Sequence, residues 1–188
     1  MTDVYVKGGA ELDKLLQTLP VKLEKNIMRS ALAAGARVIQ REAKLNAPVG
    51  QPSNVGAQLY GGYPGALRDS VRVTTRFNKE GQATASVKAG GRTKKGAEVF
   101  YAHIVEFGAR RHIIRPRVQR EKGKHQVLKL GGVFVAGAVD HPGARPQPFM
   151  RPALDSRLTQ AVEAVTTQVR KRLQKEGVDV PAPIGADE

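Results

Sequence analysis

Chemistry in a protein of this kind has to come from titratable side chains that converge, and the first question is whether any do. The four histidines, His103, His112, His125 and His141, show no metal-ligand spacing among themselves and no carboxylate pattern around them. Cysteine is absent, which removes thiolate ligands, thiol nucleophiles and disulfides together. No G-x-S-x-G, H-E-x-x-H, P-loop or G-x-G-x-x-G sequence occurs. The Gly-Gly pairs do not open a helix after a strand, as a phosphate cradle requires. The residues therefore predict no enzyme, no catalytic residue, no metal and no cofactor. Glu106 is the one acid in a telling place, between Val105 and Phe107. A carboxylate buried there is costly unless paired, with Arg151 or Arg115 as candidate partners. A Glu on the wet side of a short helix fits the same pattern.

Charge is the second source of chemistry. The net charge is +14, and Arg110, Arg111, Arg115, Arg117, Arg120, Lys122, Lys124 and Lys129 crowd one stretch in which Glu121 is the only acid. Such a segment suits an acidic or phosphate-bearing neighbour. It lacks interleaved aromatics and any recognisable reading module, so nucleic-acid contact through residues 110–129 would be non-specific and salt-sensitive. An acidic protein surface is the competing partner.

The elements that position these residues follow from length and pattern. At 188 residues, with 20 Gly, 11 Pro and 5% aromatics, one domain over residues 1–177 is expected, its thin core completed by neighbouring subunits. The start has no signal-peptide pattern and no stretch is apolar enough for a membrane span, so a soluble protein assembled in a reducing cytosol is expected. Leu12, Leu15, Leu16 and Leu19 space a short helix over Ala10–Leu19. A longer helix follows to about Asn46, with Leu23, Ile27, Ala31, Ala34 and Val38 as its stripe. Its small-residue stretch Ala31–Ala36 permits close packing, inside the chain or between subunits. The Gly/Pro-rich loop 47–66 carries Tyr60 and Tyr63, which either anchor it or await a partner.

Beyond the loop, alternation predicts a strand from Val71 to Phe77, a turn at Asn78–Gly81 and a returning strand from Gln82 to Ala89. Gly90–Gly96 reads as a flexible basic loop. Val99–Phe107 fits a buried strand or a short helix capped by Gly108, and the helix is favoured. An extended arm over 109–139 follows, ending in a hairpin of Gln126–Leu130 with Val133–Val135. His141–Pro148 is too rich in proline to be regular. The last helix places Pro152 in its first turn, buries Leu154, Leu158, Ala161, Val165, Val169 and Leu173, and stops at Gly177; residues 178–188 read as a disordered tail.

Two stretches, Tyr101–Gly108 and Pro148–Leu154, join apolar residues to a charge and a chain breaker. They are expected to meet and to brace the basic arm. The contacts offered to neighbours are then Tyr60 and Tyr63 in the loop, Glu106 and Phe107 at the junction, and Phe149 and Arg151 opposite it. Arg110, Arg111, Arg115, Arg117 and Phe134 complete the set in the arm.

In order along the chain, Asn46-Ala-Pro48, Gly65-Ala-Leu-Arg-Asp-Ser70, Tyr101-Ala-His-Ile-Val-Glu-Phe-Gly108, Ile114-Arg-Pro116, His141-Pro-Gly143 and Pro148-Phe-Met-Arg-Pro-Ala-Leu154 resemble the tail-completion or neck minor tail proteins of long-tailed lambdoid bacteriophages, the gene-product-ten-like family. The likeness runs over residues 10–175. It implies an α+β fold in which an antiparallel β-sheet is packed by a long N-terminal helix and a C-terminal helix, with extended loops and a projecting arm. It further implies a homo-oligomeric, six-fold ring in the virion, at the tail or neck. There it would contact tail-tube or tail-terminator and head-completion proteins, without a membrane and with non-specific contact to passing DNA. Ala109 stands where the family has Thr or Ser, and the 47–66 loop carries a longer Gly/Pro insert; both bear on loop contacts more than on the fold.

Overall fold

The structure, a computed structural model, describes residues 21–50, 62–79, 81–116, 127–130 and 133–178. Its elements in chain order are α1 (Val21–Asn46), α2 (Ala66–Ser70), β1 (Arg72–Phe77), β2 (Ala83–Lys88), β3 (Gly91–Arg92), β4 (Glu98–Val99), α3 (Ala102–Phe107), β5 (His112–Ile114), β6 (Leu128–Leu130), β7 (Val133–Val135), β8 (Val139–His141) and α4 (Met150–Lys175). The class is mixed α and β, as expected. The sheet is divided: β1–β2, β3–β4, β5–β8 and β6–β7 each form a two-stranded sheet among the described residues. Most strands are two or three residues long, and a glycine or proline lies close to the ends of several of them. The expected helix at Ala10–Leu19, Tyr60 in the loop, Arg117 and the rest of 117–126 in the arm, and the tail from residue 179 lie outside the described residues.

The chain forms two compact units, and the boundaries fall inside both long helices. The first comprises, among described residues, 21–42, 73–79, 81–88 and 155–178. Ile27 and Ala31 of α1 form one buried cluster with Val169 and Leu173 of α4. Gly35 lies so close to α4 that a Cβ there would stand 2.6 Å from Val165 Cγ2 and 2.7 Å from the Ala161 carbonyl oxygen. Further along, Arg157 Nε donates to Glu42 Oε2 at 2.8 Å. Numbers rise on α1 as they fall on α4, so the helices run antiparallel. The small-residue stretch thus serves packing within the chain. Ser30 Oγ accepts bonds from Gln168 Nε2 (2.8 Å) and Arg172 Nε (3.2 Å) beside the cluster. The β1–β2 pair belongs to this unit from Val73 onward; Arg29 sits 5.2 Å over the centroid of the Phe77 ring. Its turn is tied by Asn78, whose N–H donates to the Gln82 carbonyl while its Oδ1 accepts the Gln82 N–H at 2.7 Å.

α4 ends as Gly177 predicts. Gly177 adopts φ +74°, its N–H donates to the Gln174 carbonyl, and the Val178 N–H reaches back to the Leu173 carbonyl. These are the two bonds of a Schellman cap. Val178 also packs against the cluster that holds Leu173. The tail expected from residue 178 therefore loses its first member, which closes the helix.

The second unit comprises 43–72 and 89–154. Its described interior contains Leu67, Val71, Ala97, Val99, Ala102, Phe149 and Ala153, with Phe149 fully buried. Two expectations change here. Ala66, read as the end of the 47–66 loop, and the residues up to the strand expected from Val71 form α2, whose buried Ser70 Oγ donates to the Leu67 carbonyl at 2.6 Å and accepts the Gly90 N–H at 2.9 Å. The loop Gly90–Gly96, read as flexible, is the head of a tight hairpin. Buried Thr93 accepts the Ala97 N–H on Oγ1 at 3.0 Å, and backbone bonds join Thr93 to Ala97 and Gly96. At the start of α4, Ala153 rather than Leu154 faces inward, and Leu154 is exposed.

Candidate assembly surface

α3 is short because Gly108 ends it. With φ +75° and ψ −178°, Gly108 occupies a region that side chains disfavour, and a Cβ would meet the Ala144 carbonyl oxygen at 2.7 Å. That geometry throws the chain into an antiparallel bridge, Ala109 with Ala144, closed by two bonds of 2.9 Å. Gly143 is needed for the same approach, since a Cβ there would overlap the Ala109 carbonyl oxygen.

The two apolar stretches do meet. The Gln147 N–H donates to the Val105 carbonyl at 2.7 Å. Glu106 Oε2 accepts the N–H groups of Phe149 (2.8 Å) and Met150 (2.9 Å), and Oε1 accepts that of Arg151 (3.0 Å). These are donors that the first turn of α4 cannot satisfy internally. Glu106 is thus a helix cap supplied from a distant element, placed at the positive end of the α4 dipole. Burial pushes its carboxyl pKa up, but the three backbone donors, with a smaller contribution from the Arg151 charge, outweigh this and hold it below the usual glutamate value. The expected arginine partner is corrected in kind: Arg151 contributes chiefly its backbone N–H, and Arg115 is not a hydrogen-bond partner of the carboxylate. Neither the arginine pair nor the wet-surface reading anticipated a cap, because the acid stands 43 residues before the first N–H it accepts.

Beyond the bridge, β5 and β8 pair antiparallel, His112 facing His141, Ile113 facing Asp140 and Ile114 facing Val139. The imidazoles stack with centroids 5.0 Å apart. His112 Nδ1 lies 2.8 Å from the Arg110 carbonyl, and the Gly143 N–H donates to His141 Nδ1. Arg111 grips Asp140 through Nε, 2.9 Å from each carboxylate oxygen, and through a second nitrogen. Further out, β6 and β7 pair antiparallel as the sequence suggested. β8, at the end of the expected arm, was not anticipated, and it takes in His141, the first residue of the stretch read as irregular.

The other candidate contacts divide sharply. Tyr63 anchors the loop end: its hydroxyl donates to Asp69 Oδ2 at 2.8 Å while Lys95 Nζ lies 4.7 Å over its ring. That bond, opposed by burial and helped by Lys95 and Arg68, holds the Asp69 carboxyl below its usual pKa. Phe149 and Glu106 are consumed inside the unit. Phe107, Phe134, Arg110, Arg111, Arg115 and Arg151 are exposed. Exposed large apolar residues that sequence reasoning passed over are Leu45, Val49, Phe100, Ile113, Val127 and Leu154; residue type alone gives no sign of which apolar side chain faces water. Every exposed large apolar residue among the described residues belongs to the second unit.

Among the described residues no group of three or more His, Asp or Glu is placed to hold a metal ion, and no helix is long and apolar enough to cross a membrane. The described residues thus combine a capped junction with exposed large apolar side chains confined to the second unit. A family model described as "Bacteriophage HK97-gp10, putative tail-component" matches residues 10–108, just over half of the chain. The chain belongs to this family and is a bacteriophage tail component. No curated protein and no solved structure matches it. The matched region ends at Gly108, so the arm and α4 stand on their own residues.

Proposed function

We propose that this tail component is a structural virion protein that assembles into an oligomeric ring, six-fold in symmetry, which completes the tail and helps join it to the head at the neck. The observation that carries this is the concentration of exposed large apolar residues in the second unit, Leu45, Val49, Phe100, Phe107 and Leu154 among them. Such a surface is unfavourable in water, and a ring covers it by setting one patch of a subunit against a different patch of the next. A tail component that closes burial by assembly needs a fixed subunit shape, and the Glu106 cap supports one. The partners in this reading are further copies of the chain, the tail-tube or tail-terminator protein and the head-completion proteins.

Native mass spectrometry or multi-angle light scattering tests the reading. The expected result is a closed oligomer of a single copy number, formed alone or on mixing with tail-tube protein. A strict monomer at high concentration, with and without tail-tube protein, would overturn it.

A further inference from the structure

β7 and β8 follow closely in the chain, so the β6–β7 and β5–β8 ladders make a two-part ribbon. β7 ends at Val135 and β8 begins at Val139, and four Cα steps span at most about 14 Å. Among the described residues each ladder has two strands. Along this ribbon Ile113 is 58% exposed, Val127 48% and Phe134 65%. Arg110, Arg115 and Arg145, in or next to the same strands along the chain, are exposed as well. The acid among the described residues of 109–145 is Asp140, and Arg111 already holds it. The ribbon therefore carries both exposed apolar side chains and exposed arginines.

We propose that this ribbon docks on an acidic protein surface, an apolar centre ringed by carboxylates on a different component of the assembly. The proposal rests on the reading of the chain as an assembling tail component and names the chemistry of one partner. Phosphates answer the arginines but cannot cover Ile113, Val127 and Phe134, so duplex DNA leaves half of the surface unmatched. A second copy answers the apolar side chains but carries the same +14 charge, which opposes contact at the most basic part of the chain. An acidic apolar surface matches both features.

The full chain is titrated with three probes: a random glutamate–tyrosine copolymer, polyglutamate and a short DNA duplex. The copolymer should bind about tenfold more tightly than polyglutamate, the size of a modest interface contribution. An Ile113→Thr/Phe134→Thr variant, which puts a residue of good strand propensity at both positions, should lose that advantage without a change in melting temperature or oligomeric mass. Arg110→Glu/Arg115→Glu should weaken both polymers. Equal binding of copolymer and polyglutamate, or tighter binding of duplex DNA than of the copolymer, would overturn the proposal. A fall in oligomeric mass on the threonine substitutions would assign the ribbon to contacts between copies instead. A wild type that stays monomeric with and without tail-tube protein, yet still prefers the copolymer, would sink the ring and leave the ribbon's partner standing.

Discussion

At the scale of single residues, Glu106 decides the most. Its carboxylate takes the Phe149, Met150 and Arg151 N–H groups, so removing it strands buried donors at a helix end. Glu106→Ala should cost about 0.5–2 kcal/mol, the range for loss of an N-cap, read as a lower melting temperature. The charge adds a pH signature. Because the folded-state pKa is held below the ordinary glutamate value of 4.5, its stabilisation is present above that pH and is lost as pH falls through the lowered folded value. Glu106→Gln should flatten the acid limb of a stability–pH curve; an unchanged limb would contradict the cap. Gly108→Ala meets both a positive φ and the Ala144 carbonyl oxygen, and about 1–3 kcal/mol of strain should appear in chemical denaturation. Phe149→Ala empties a fully buried site and should cost about 3–5 kcal/mol.

At the scale of elements, the antiparallel packing of α1 on α4 depends on Gly35. A methyl group there would press on the Ala161 backbone, which cannot rotate away as a side chain can. Gly35→Ala should destabilise by about 1–3 kcal/mol despite the better helix propensity of alanine. Thermal unfolding checks the sign, and stabilisation would refute the close contact. The two long helices were the most legible elements because a period of 3.6 residues with a stop signal at the C-terminal end is a local signal: Asn46 and Gly177 mark ends that the structure confirms. The hairpin at β6–β7 was legible from its β-branched runs. β8 and α2 were not, because their formation depends on partners far away, β5 for the one and the buried Ser70–Gly90 bond for the other.

At the scale of the whole molecule, the chain's belonging to a tail-component family and the apolar surface of the second unit point to assembly. Phe107 is 69% exposed and Leu45 79%, so Phe107→Ser and Leu45→Ser should change folding stability by no more than about 0.5 kcal/mol. They should nevertheless lower the fraction of oligomer seen in light scattering. A loss of melting temperature with unaltered mass would mean that these side chains serve the fold rather than its neighbours.

The residues by themselves determined the helix periods, the terminal glycine cap, the tight turns, the absence of any familiar catalytic spacing and the family resemblance, all of which are written in neighbouring positions. They also marked Tyr101–Gly108 and Pro148–Leu154 as two halves of one junction, since an acid, a glycine and a proline among apolar residues seldom serve a solvated loop. Only the tertiary structure decided what the junction does. Whether Glu106 finds a guanidinium, water or a helix end depends on which group arrives across forty residues of intervening chain, and the three N–H groups of α4 arrive first. The same holds for Leu154 and Ala153, adjacent in sequence and opposite in burial: helical periodicity admits both as inward positions, and the neighbouring packing chose one.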